Sequence, residues 1–359
     1  MHEESIKIAA VGDIMLGDRP LMVGLGVRSN IEGSNSYDPF SQIGEYLKSF
    51  DIVFGNLESV ISDNGMKGND YKSIQMRGPG KSINSLINAG FNVLSIANNH
   101  IMQHGEGAFL ETIDALDNSN IDALGRVDSN GMSLPIYKDI KGTIIAFIGF
   151  SMMPEKYNLN TKYAISEFKD ILSSVKKLKK ECDILIVSLH WGDEYISRPS
   201  QEQIMQARLL ADSGASLLLG HHPHVLQGIE KYKSSLIAYS LGNFVFDVWQ
   251  KQLRQSCILV VTIKNYQISD YVRIPVYIDD KFRPNIAYNG TTDRLKNRFS
   301  ELDKMIDDLP VFDNYSKFVR LHEIRNKIEN RLLFLRNIFK YQPYVLRQSL
   351  LGFIDDRMK

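Results

Sequence analysis

The sequence predicts a layered α/β protein with a helical extension at its C-terminus, and three observations lead to this fold class. Short continuous apolar runs alternate with helical patterns as far as residue 219. After about residue 244 the segments become β-rich, and from about residue 292 they become helical and charged. Alternating strands and helices indicate sheets covered on both sides by helices. We therefore expect one α/β domain over residues 1–290 and a helical extension over residues 291–359.

Six apolar runs are predicted to be strands, because continuous runs of this length are typical of strands buried on both faces. They are residues 7–11, 52–54, 93–97, 144–148, 184–188 and 216–219. The predicted helices between them are residues 40–50, 81–89, 107–118, 165–180 and 201–212. Residues 256–263 and 271–277 alternate like antiparallel strands that are exposed on one face.

Charge and composition exclude several classes of protein. The 359 residues contain 42 Lys+Arg and 42 Asp+Glu, so no overall field favours nucleic acid as a partner. The two cysteines, Cys182 and Cys257, lie in apolar surroundings and fit free thiols better than a disulfide framework. No window approaches the roughly 18 apolar residues of a membrane-spanning helix, and the first residues do not resemble a signal peptide. We therefore expect a cytoplasmic protein.

Polar residues follow the predicted strands at several points along the chain. These segments are Gly12-Asp13, Asn56-Leu57-Glu58, Asn98-Asn99-His100, His190-Trp191-Gly192 and His221-His222-Pro223-His224. Open α/β sheets build their sites at the carboxyl ends of strands. Carboxylate, imidazole and amide groups are ligands for Zn, Mn, Fe or Mg, so the sequence predicts a site for one or two divalent metals.

Six segments together carry a resemblance to a known family. They are Gly12-Asp13-Ile14-Met15, Gly55-Asn56-Leu57-Glu58, Ala97-Asn98-Asn99-His100, the run from Leu189 to Tyr195, the run from Gly220 to Gln227, and the run from Tyr239 to Phe244. In this order they resemble the CapA (PGA_cap) family of bacterial capsule or poly-γ-glutamate synthesis proteins. That family is similar to the calcineurin-like metallophosphoesterases. The resemblance spans roughly residues 6 to 250 and implies metallophosphoesterase-like sheets flanked by helices.

The resemblance also implies a role for each motif residue. Asp13 and His224 would bind a first metal, and Glu58 or Asn56 would bridge. The second metal would be bound by Asn99, His190 and His222. His100 resembles the family's general acid, and Asp13 is the other catalytic candidate. The candidates for contact with substrate are Trp191, Glu194 and Asn243.

Several alternatives stay open at this stage. Either His221 or His222 faces the site, because neighbours on an extended segment point to opposite sides, and we favour His222. Trp191 either flanks the pocket or packs in the core. Arg77 or Arg254 is a further candidate for holding an anionic group of the substrate.

Two departures from the metallophosphoesterase pattern bear on chemistry. Metallophosphoesterases carry Asp-x-His in the first motif, whereas this chain has Asp13-Ile14-Met15, and a thioether is a poor ligand for hard divalent metals. CapA-like proteins share this loss. Gln103-His104-Gly105 stands where the family usually has Asp-Tyr-Gly, so His104 is either an acid, a base, a ligand or a surface residue.

The implied function is that of a metal-dependent hydrolase in the synthesis of a capsule, poly-γ-glutamate or another cell-surface polymer. Its substrate would be an anionic polymer or a phosphoester, and its partners would be polymer synthesis or export proteins. Met15 motivates a second hypothesis, a non-catalytic binding or scaffold protein, and a γ-glutamyl amide hydrolase is the third. The basic, amphipathic segment 331–340 fits either a membrane surface or a helix that packs on the domain or on a second subunit.

Overall fold

The computed structural model describes residues 5–64, 71–157, 160–307 and 315–347. The strands are β1 (Ile6–Ile14), β2 (Ile52–Leu57), β3 (Val60–Ile61), β4 (Arg77–Gly78), β5 (Val93–Ser95), β6 (Asp122–Leu124), β7 (Ile136–Ile140), β8 (Thr143–Ser151), β9 (Ile184–His190), β10 (Leu217–His221), β11 (Ile229–Tyr232), β12 (Ser235–Ala238), β13 (Asn243–Val245), β14 (Gln255–Lys264), β15 (Gln267–Ile278) and β16 (Pro284–Ile286). The α-helices are α1 (Val27–Gly33), α2 (Gly44–Leu47), α3 (Ile83–Asn88), α4 (Gly105–Asp117), α5 (Phe168–Leu178), α6 (Gln201–Asp212), α7 (Gly290–Asp307) and α8 (Tyr315–Arg336).

Two sheets form the body of the protein. The first has the order β16-β15-β14-β1-β2-β5-β6, and β13 pairs with the end of β1. The second has the order β11-β12-β10-β9-β8-β7. In both sheets the central strands are parallel and antiparallel strands lie at one or both edges. A third, small sheet pairs β3 with β4.

The two sheets pack face to face with helices on their outer faces. Along β1, Ile8 and Ala10 face the second sheet, whereas Ala9 and Val11 face the helical layer, because successive strand residues point to opposite faces. The rings of Phe54 and Phe147 stack across the interface between the sheets, with their centroids 6.4 Å apart. Helices α3 and α4 cover the first sheet, and α5 and α6 cover the second. The predicted α/β architecture with covered sheets is confirmed.

Most predicted elements form, and one forms only in part. Helix α6 begins one residue after Ser200, whose side chain makes a capping box with Gln203, and it coincides with the predicted helix 201–212. The predicted helix 40–50 is mostly turns with the short helix α2 inside it. Phe40, Ile43 and Leu47 are nevertheless all buried, so the apolar spacing was informative about burial and misleading about regular structure.

The C-terminal helices pack against the α/β layers. Leu295, Phe299 and Leu302 of α7 are buried in the cluster between the two sheets, and Asp303 forms a bidentate ion pair with Arg273 of β15. Helix α8 follows the undescribed residues 308–314. The boundary near residue 290 stays a prediction, and residues 348–359 of the proposed extension lie outside the described part of the chain.

No helix among the described residues is both long and apolar enough to cross a bilayer.

Candidate metal centre

The site residues lie where the carboxyl ends of the central strands of both sheets come together. Register brings them side by side: Asp13 of β1 is paired with Asn56 of β2 and with Asn243 of β13. In the second sheet His221 of β10 is paired with His190 of β9. Parallel strands that end in register therefore place one polar residue from each strand at the same edge.

Glu58 lies at the middle of this group. Its Oε1 atom is 3.6 Å from His224 Nε2, 3.8 Å from His190 Nε2 and 3.9 Å from His100 Nε2. Both carboxylate oxygens are buried without a hydrogen-bond partner among the described residues. Burial raises the pKa of Glu58 well above its usual value, although the charge of His224 opposes the shift. An unsatisfied buried carboxylate is costly, so this residue calls for a cation.

Asp13 is held by partners from the ends of β2 and β10 and from the turn that follows β10. Its Oδ1 accepts a hydrogen bond from Asn56 Nδ2 at 2.9 Å and lies 3.3 Å from His221 Nδ1. Its Oδ2 lies 3.2 Å from His224 Nδ1 and 3.4 Å from the backbone nitrogen of His222. Burial alone would raise the pKa of Asp13, but the adjacent imidazoles of His221 and His224 hold it well below its usual value. Asp13 is therefore an ionised carboxylate among imidazoles.

Three asparagines fix the orientation of the ligand-bearing groups. Asn98 Nδ2 donates to Asn56 Oδ1 at 3.3 Å and to the Leu57 carbonyl at 2.8 Å. Asn99 Oδ1 lies 2.8 Å from His190 Nε2. The resemblance assigns both of these residues to the second metal. The side-chain nitrogen and oxygen of Asn56 both have hydrogen-bond partners, whereas the Glu58 carboxylate oxygens have none within the described part of the chain. The geometry therefore favours Glu58 for the bridging position.

Two overlapping groups of side chains could hold a metal. The ligand atoms of Glu58, His222 and His224 all lie within 4.8 Å of one another, and so do those of Asp13, Glu58 and His190. Glu58 belongs to both groups, as a bridging ligand would. Burial lowers the pKa of His222 to about 4 and that of His190 well below its usual value, so both imidazoles are neutral and able to ligate.

The prediction that only one of His221 and His222 faces the site is wrong. His222 has φ +97° and His224 has φ +57°, on either side of Pro223. The alternation of strand β10 ends at His221, and these left-handed residues turn the chain so that all three imidazoles point inward. Such backbone conformations are costly for non-glycine residues, so the surrounding contacts must hold this turn in place.

His100 lies at the rim of the centre. Its side chain is 19% exposed, which leaves the ring open to solvent while Nε2 faces Glu58. The Nδ1 atom lies 2.8 Å from Gln103 Oε1, so the residue that departs from the family pattern orients the candidate acid. Burial lowers the pKa of His100, and the Gln103 contact opposes the shift.

Two of the three candidate substrate residues are instead structural. Trp191 is buried, stacks on Tyr239 and donates from Nε1 to the Tyr239 carbonyl at 3.1 Å, so it packs in the core. Asn243 is fully buried, with Oδ1 3.0 Å from His224 Nδ1 and Nδ2 bonded to the His224 and Leu253 carbonyls. Its amide therefore holds His224 in place. Each role depends on tertiary neighbours that the strand-end motif does not specify.

Glu194, the third candidate, stays beside the imidazoles. It is only partly buried in the fold. Burial would raise the pKa of its carboxyl, but His224, His222 and His100 lower it. Glu194 is therefore an acidic group close enough to these three imidazoles to interact with them electrostatically.

Four further residues make contacts that do not involve the group around Glu58. His104 is buried, with Nε2 2.6 Å from the Gln75 carbonyl, so it is neither a ligand nor a surface residue. Arg77 donates to the Ser62 and Ser73 carbonyls. Arg254 pairs with Asp280. Met15 is fully buried in an apolar cluster that includes Phe246 and Val225.

Residues 7–248 match the family described as bacterial capsule synthesis protein PGA_cap. The chain belongs to this family. It is 30% identical over 290 residues to capsule biosynthesis protein CapA of Bacillus anthracis, an alignment that covers 78% of this chain and 69% of the relative. It is also 30% identical over 288 residues to PGA biosynthesis protein CapA of Bacillus subtilis, covering 77% and 73%.

A solved structure shows the same fold. A putative 5'-nucleotidase from Staphylococcus aureus, in complex with alpha-ketoglutarate, superposes with a TM-score of 0.51 at 15% identity, covering 83% of this chain and 58% of that one. The sheets of this PGA_cap protein are thus metallophosphoesterase-like, as the sequence predicts. Helices α7 and α8 lie beyond the residues matched to the family.

Sequence reasoning missed three contributors to the centre. The alternation argument favours His222 over His221, and the motif that contains Asn98 assigns it no role. Gln103 is assigned no role beyond its departure from the family pattern. A signal for His221 was present, since a proline two residues later makes a continued regular strand unfavourable.

Proposed function

We propose that this chain is a metal-dependent hydrolase of the CapA type that acts in the synthesis, release or modification of a capsular or poly-γ-glutamate polymer. The observation that carries the proposal is Glu58, a buried carboxylate with two unpartnered oxygens among four imidazoles and Asp13. Family membership and the names of the two CapA relatives support the polymer context.

The donor set fits a divalent cation. Carboxylates and neutral imidazoles suit Zn, Mn or Fe, and carboxylates suit Mg. The residues that would hold it are Asp13, Glu58, Asn99, His190, His222 and His224. A divalent cation held there would supply Lewis acidity to polarise a phosphoryl or carbonyl oxygen and to acidify water.

The protein's own residues would orient and protonate the substrate. Because Gln103 Oε1 accepts from Nδ1–H of His100, the Nε2 atom is left as the position that exchanges a proton with the leaving group. Glu194 would repel anions that approach from its side of the opening and so restrict the direction of entry. Asn243 and Asn98 would keep His224 and Asn56 in place through the reaction.

A cleft beside the centre supports an anionic, extended substrate. It has a volume of about 670 Å³ and lies behind Tyr195, whose ring centroid is 6.0 Å from that of His224. Basic side chains line it, including Lys251, Arg298 and Arg325. Arg298 is paired with Glu301, whereas Lys251 and Arg325 have no ion-pair partner among the described residues. A polyanion that leaves the centre would find positive charge here.

The test is turnover by purified protein stripped of metal and reloaded with Mn or Zn. Generic phosphodiesters and γ-glutamyl peptides serve as separate substrates, with His190→Ala and His222→Ala as variants and Cys182→Ser, outside the centre, as control. We expect turnover that requires metal, is lost in both histidine variants and is retained in the control. Equal activity in the wild type and both histidine variants would contradict the proposal.

Met15 motivates a second candidate function, a binding or scaffold protein of a polymer export assembly. Its side chain lies in an apolar cluster, so the first motif contributes Asp13 alone to the centre. A protein that binds metal and polymer but turns over neither class of substrate would favour this function. Cleavage of γ-glutamyl peptides without cleavage of phosphodiesters would instead identify the amide hydrolase.

A further inference from the structure

Helix α8 leaves an apolar stripe on its outward side. Leu321, Ile324, Ile328, Leu332 and Leu335 recur every three or four residues, so they share one face of the helix. Each is between 46% and 61% exposed. Exposed aliphatic residues scattered singly need no explanation, but a continuous row along a whole helix indicates an interaction surface.

The opposite side of the helix is fixed to the protein. Tyr315 donates from its hydroxyl to Asp193 Oδ2 at 2.9 Å, and Asn330 is hydrogen-bonded to Gln250. Phe334 is buried against Tyr341, with ring centroids 5.0 Å apart. These contacts hold one side of α8 against the protein. The stripe lies on the other side and is therefore exposed.

Basic side chains flank the stripe. Helix α8 contains six basic residues and two glutamates, in a chain whose acidic and basic residues balance at 42 each. Glu329 and the basic Arg325 both line the cleft beside the metal centre, which leaves five basic residues and Glu323 on the rest of the helix. Glu323 is adjacent in sequence to Ile324 and so lies about 100° away from it around the helix axis. The outward half of α8 is thus apolar and cationic.

The surface continues beyond the end of α8. The ring of Phe339 is 98% exposed, and the next residue, Lys340, is also exposed. Phe339 and Lys340 belong to a short turn of helix after α8. They add one more apolar and one more basic side chain to the exposed surface.

We propose that this outward surface of α8 docks the protein on an anionic lipid bilayer. The aliphatic row and Phe339 would enter the boundary between headgroups and acyl chains, while the flanking arginines and lysines contact the lipid phosphates. Interfacial helices combine an apolar face with Lys and Arg in this way, and each basic residue near an anionic surface adds to the attraction. The metal centre and its cleft would then be held close to the membrane.

A second copy of the chain is a poorer occupant. A symmetric pair of α8 helices would bring the same basic flanks together, and like charges at such an interface oppose association. A lipid surface supplies the opposite charge along the whole length of the helix. Charge complementarity thus distinguishes the two occupants.

The test is flotation of the full chain with vesicles of phosphatidylcholine alone or with about 30 mol % phosphatidylglycerol. We expect binding to the anionic vesicles that weakens as the salt concentration rises. The variants Ile328→Gln/Leu332→Gln/Leu335→Gln and Arg320→Glu/Lys327→Glu should each weaken partitioning at least about tenfold. Met205→Gln/Leu209→Gln removes exposed apolar side chains of α6 and is the matched control, which should bind as the wild type does.

Three outcomes would overturn the proposal. One is wild-type protein that stays in the aqueous fraction with anionic vesicles at low salt. Another is a dimer in solution that only the triple glutamine variant dissociates, since the stripe would then be an interface between copies. The third is binding that appears only when residues 348–359 are removed, since that segment would then cover the stripe. Melting curves of all variants establish that each is folded.

Discussion

Glu58 is fully buried, and neither of its carboxylate oxygens has a hydrogen-bond partner among the described residues. We expect Glu58→Gln to leave the melting temperature of metal-free protein unchanged or higher, because an unpaired buried carboxylate costs about 1–3 kcal/mol. Added Mn or Zn should stabilise the wild type and not the variant. Thermal melts with and without metal, together with titration calorimetry, measure both effects. A variant that loses stability without metal and keeps its metal affinity would contradict this role.

Asn243 separates a positioning role from contact with substrate. Its amide holds His224 through Oδ1 and through the backbone carbonyl. We expect Asn243→Ala to weaken metal binding about 10–100-fold, as removal of a residue that orients a ligand typically does. Metal affinity is measured directly by competition with a chelator. Unchanged metal affinity with a raised KM would instead indicate that Asn243 contacts the substrate.

At this scale the sequence was informative about which side chains meet and less informative about what each one does. Asp13, Glu58, Asn99, His190, His222 and His224 follow strands, and the strand ends bring them together. Trp191 also follows a strand, yet the turn at Gly192 leaves its indole in the core beside Tyr239. The direction of one side chain at a strand end depends on backbone torsions that a linear pattern does not specify.

Strand β10 shows how closely the elements approach at the centre. A Cβ atom at Gly220 would lie 1.9 Å from the Tyr239 carbonyl oxygen. We expect Gly220→Ala to destabilise the fold by about 3 kcal/mol, since a rigid backbone group would have to move. Gly107 of α4 has open space around it, so Gly107→Ala should instead stabilise by about 0.5–1 kcal/mol. Urea denaturation of both variants checks the opposite signs.

Continuous apolar runs predicted the buried parallel strands well, because those strands are covered on both faces. The edge strand β7 was missed, since its residues alternate between partial burial and exposure and it is hydrogen-bonded on one side only. The two-residue strands β3 and β4 are too short for any period to appear in the sequence. Element type was therefore predictable where packing is complete.

Helix α7 lies outside the matched family region, yet three of its residues are buried between the sheets. A chain that ends at residue 307 keeps Leu295, Phe299 and Leu302 between the sheets, whereas one that ends at residue 289 removes them. We expect the longer truncation product to unfold cooperatively and the shorter one to aggregate or to lose cooperativity. Gel filtration and thermal melts followed by circular dichroism distinguish them. Equal stability of the two products would show that α7 is dispensable.

The cleft between α8 and the α/β layers makes a prediction about substrate size. We expect Lys251→Glu/Arg325→Glu to raise KM for a polyanionic substrate at least about tenfold, because two attractive charges become repulsive. The kcat for a small phosphodiester should not change. Steady-state kinetics on both substrates, at matched ionic strength, provide the comparison. Equal KM values for wild type and variant would remove the cleft from the substrate path.

The pairing of two sheets could not be derived from the sequence, since it rests on contacts between residues far apart in the chain. His190 and Asp13 are separated by 177 positions and belong to different sheets, yet both lie beside Asn56. The resemblance to the PGA_cap family implied this convergence before the coordinates showed it. Helix α8 lies outside that resemblance, so its packing and exposed stripe come from the structure alone.

The central claim is that Glu58 and the surrounding imidazoles form one metal centre. Anomalous diffraction from crystals of protein reloaded with Mn or Zn tests this most directly. The result expected is a peak within bonding distance of the Glu58 carboxylate, flanked by His190, His222 and His224, that disappears in Glu58→Gln. A map with no peak there, or with its peaks confined to other parts of the molecule, would contradict the claim.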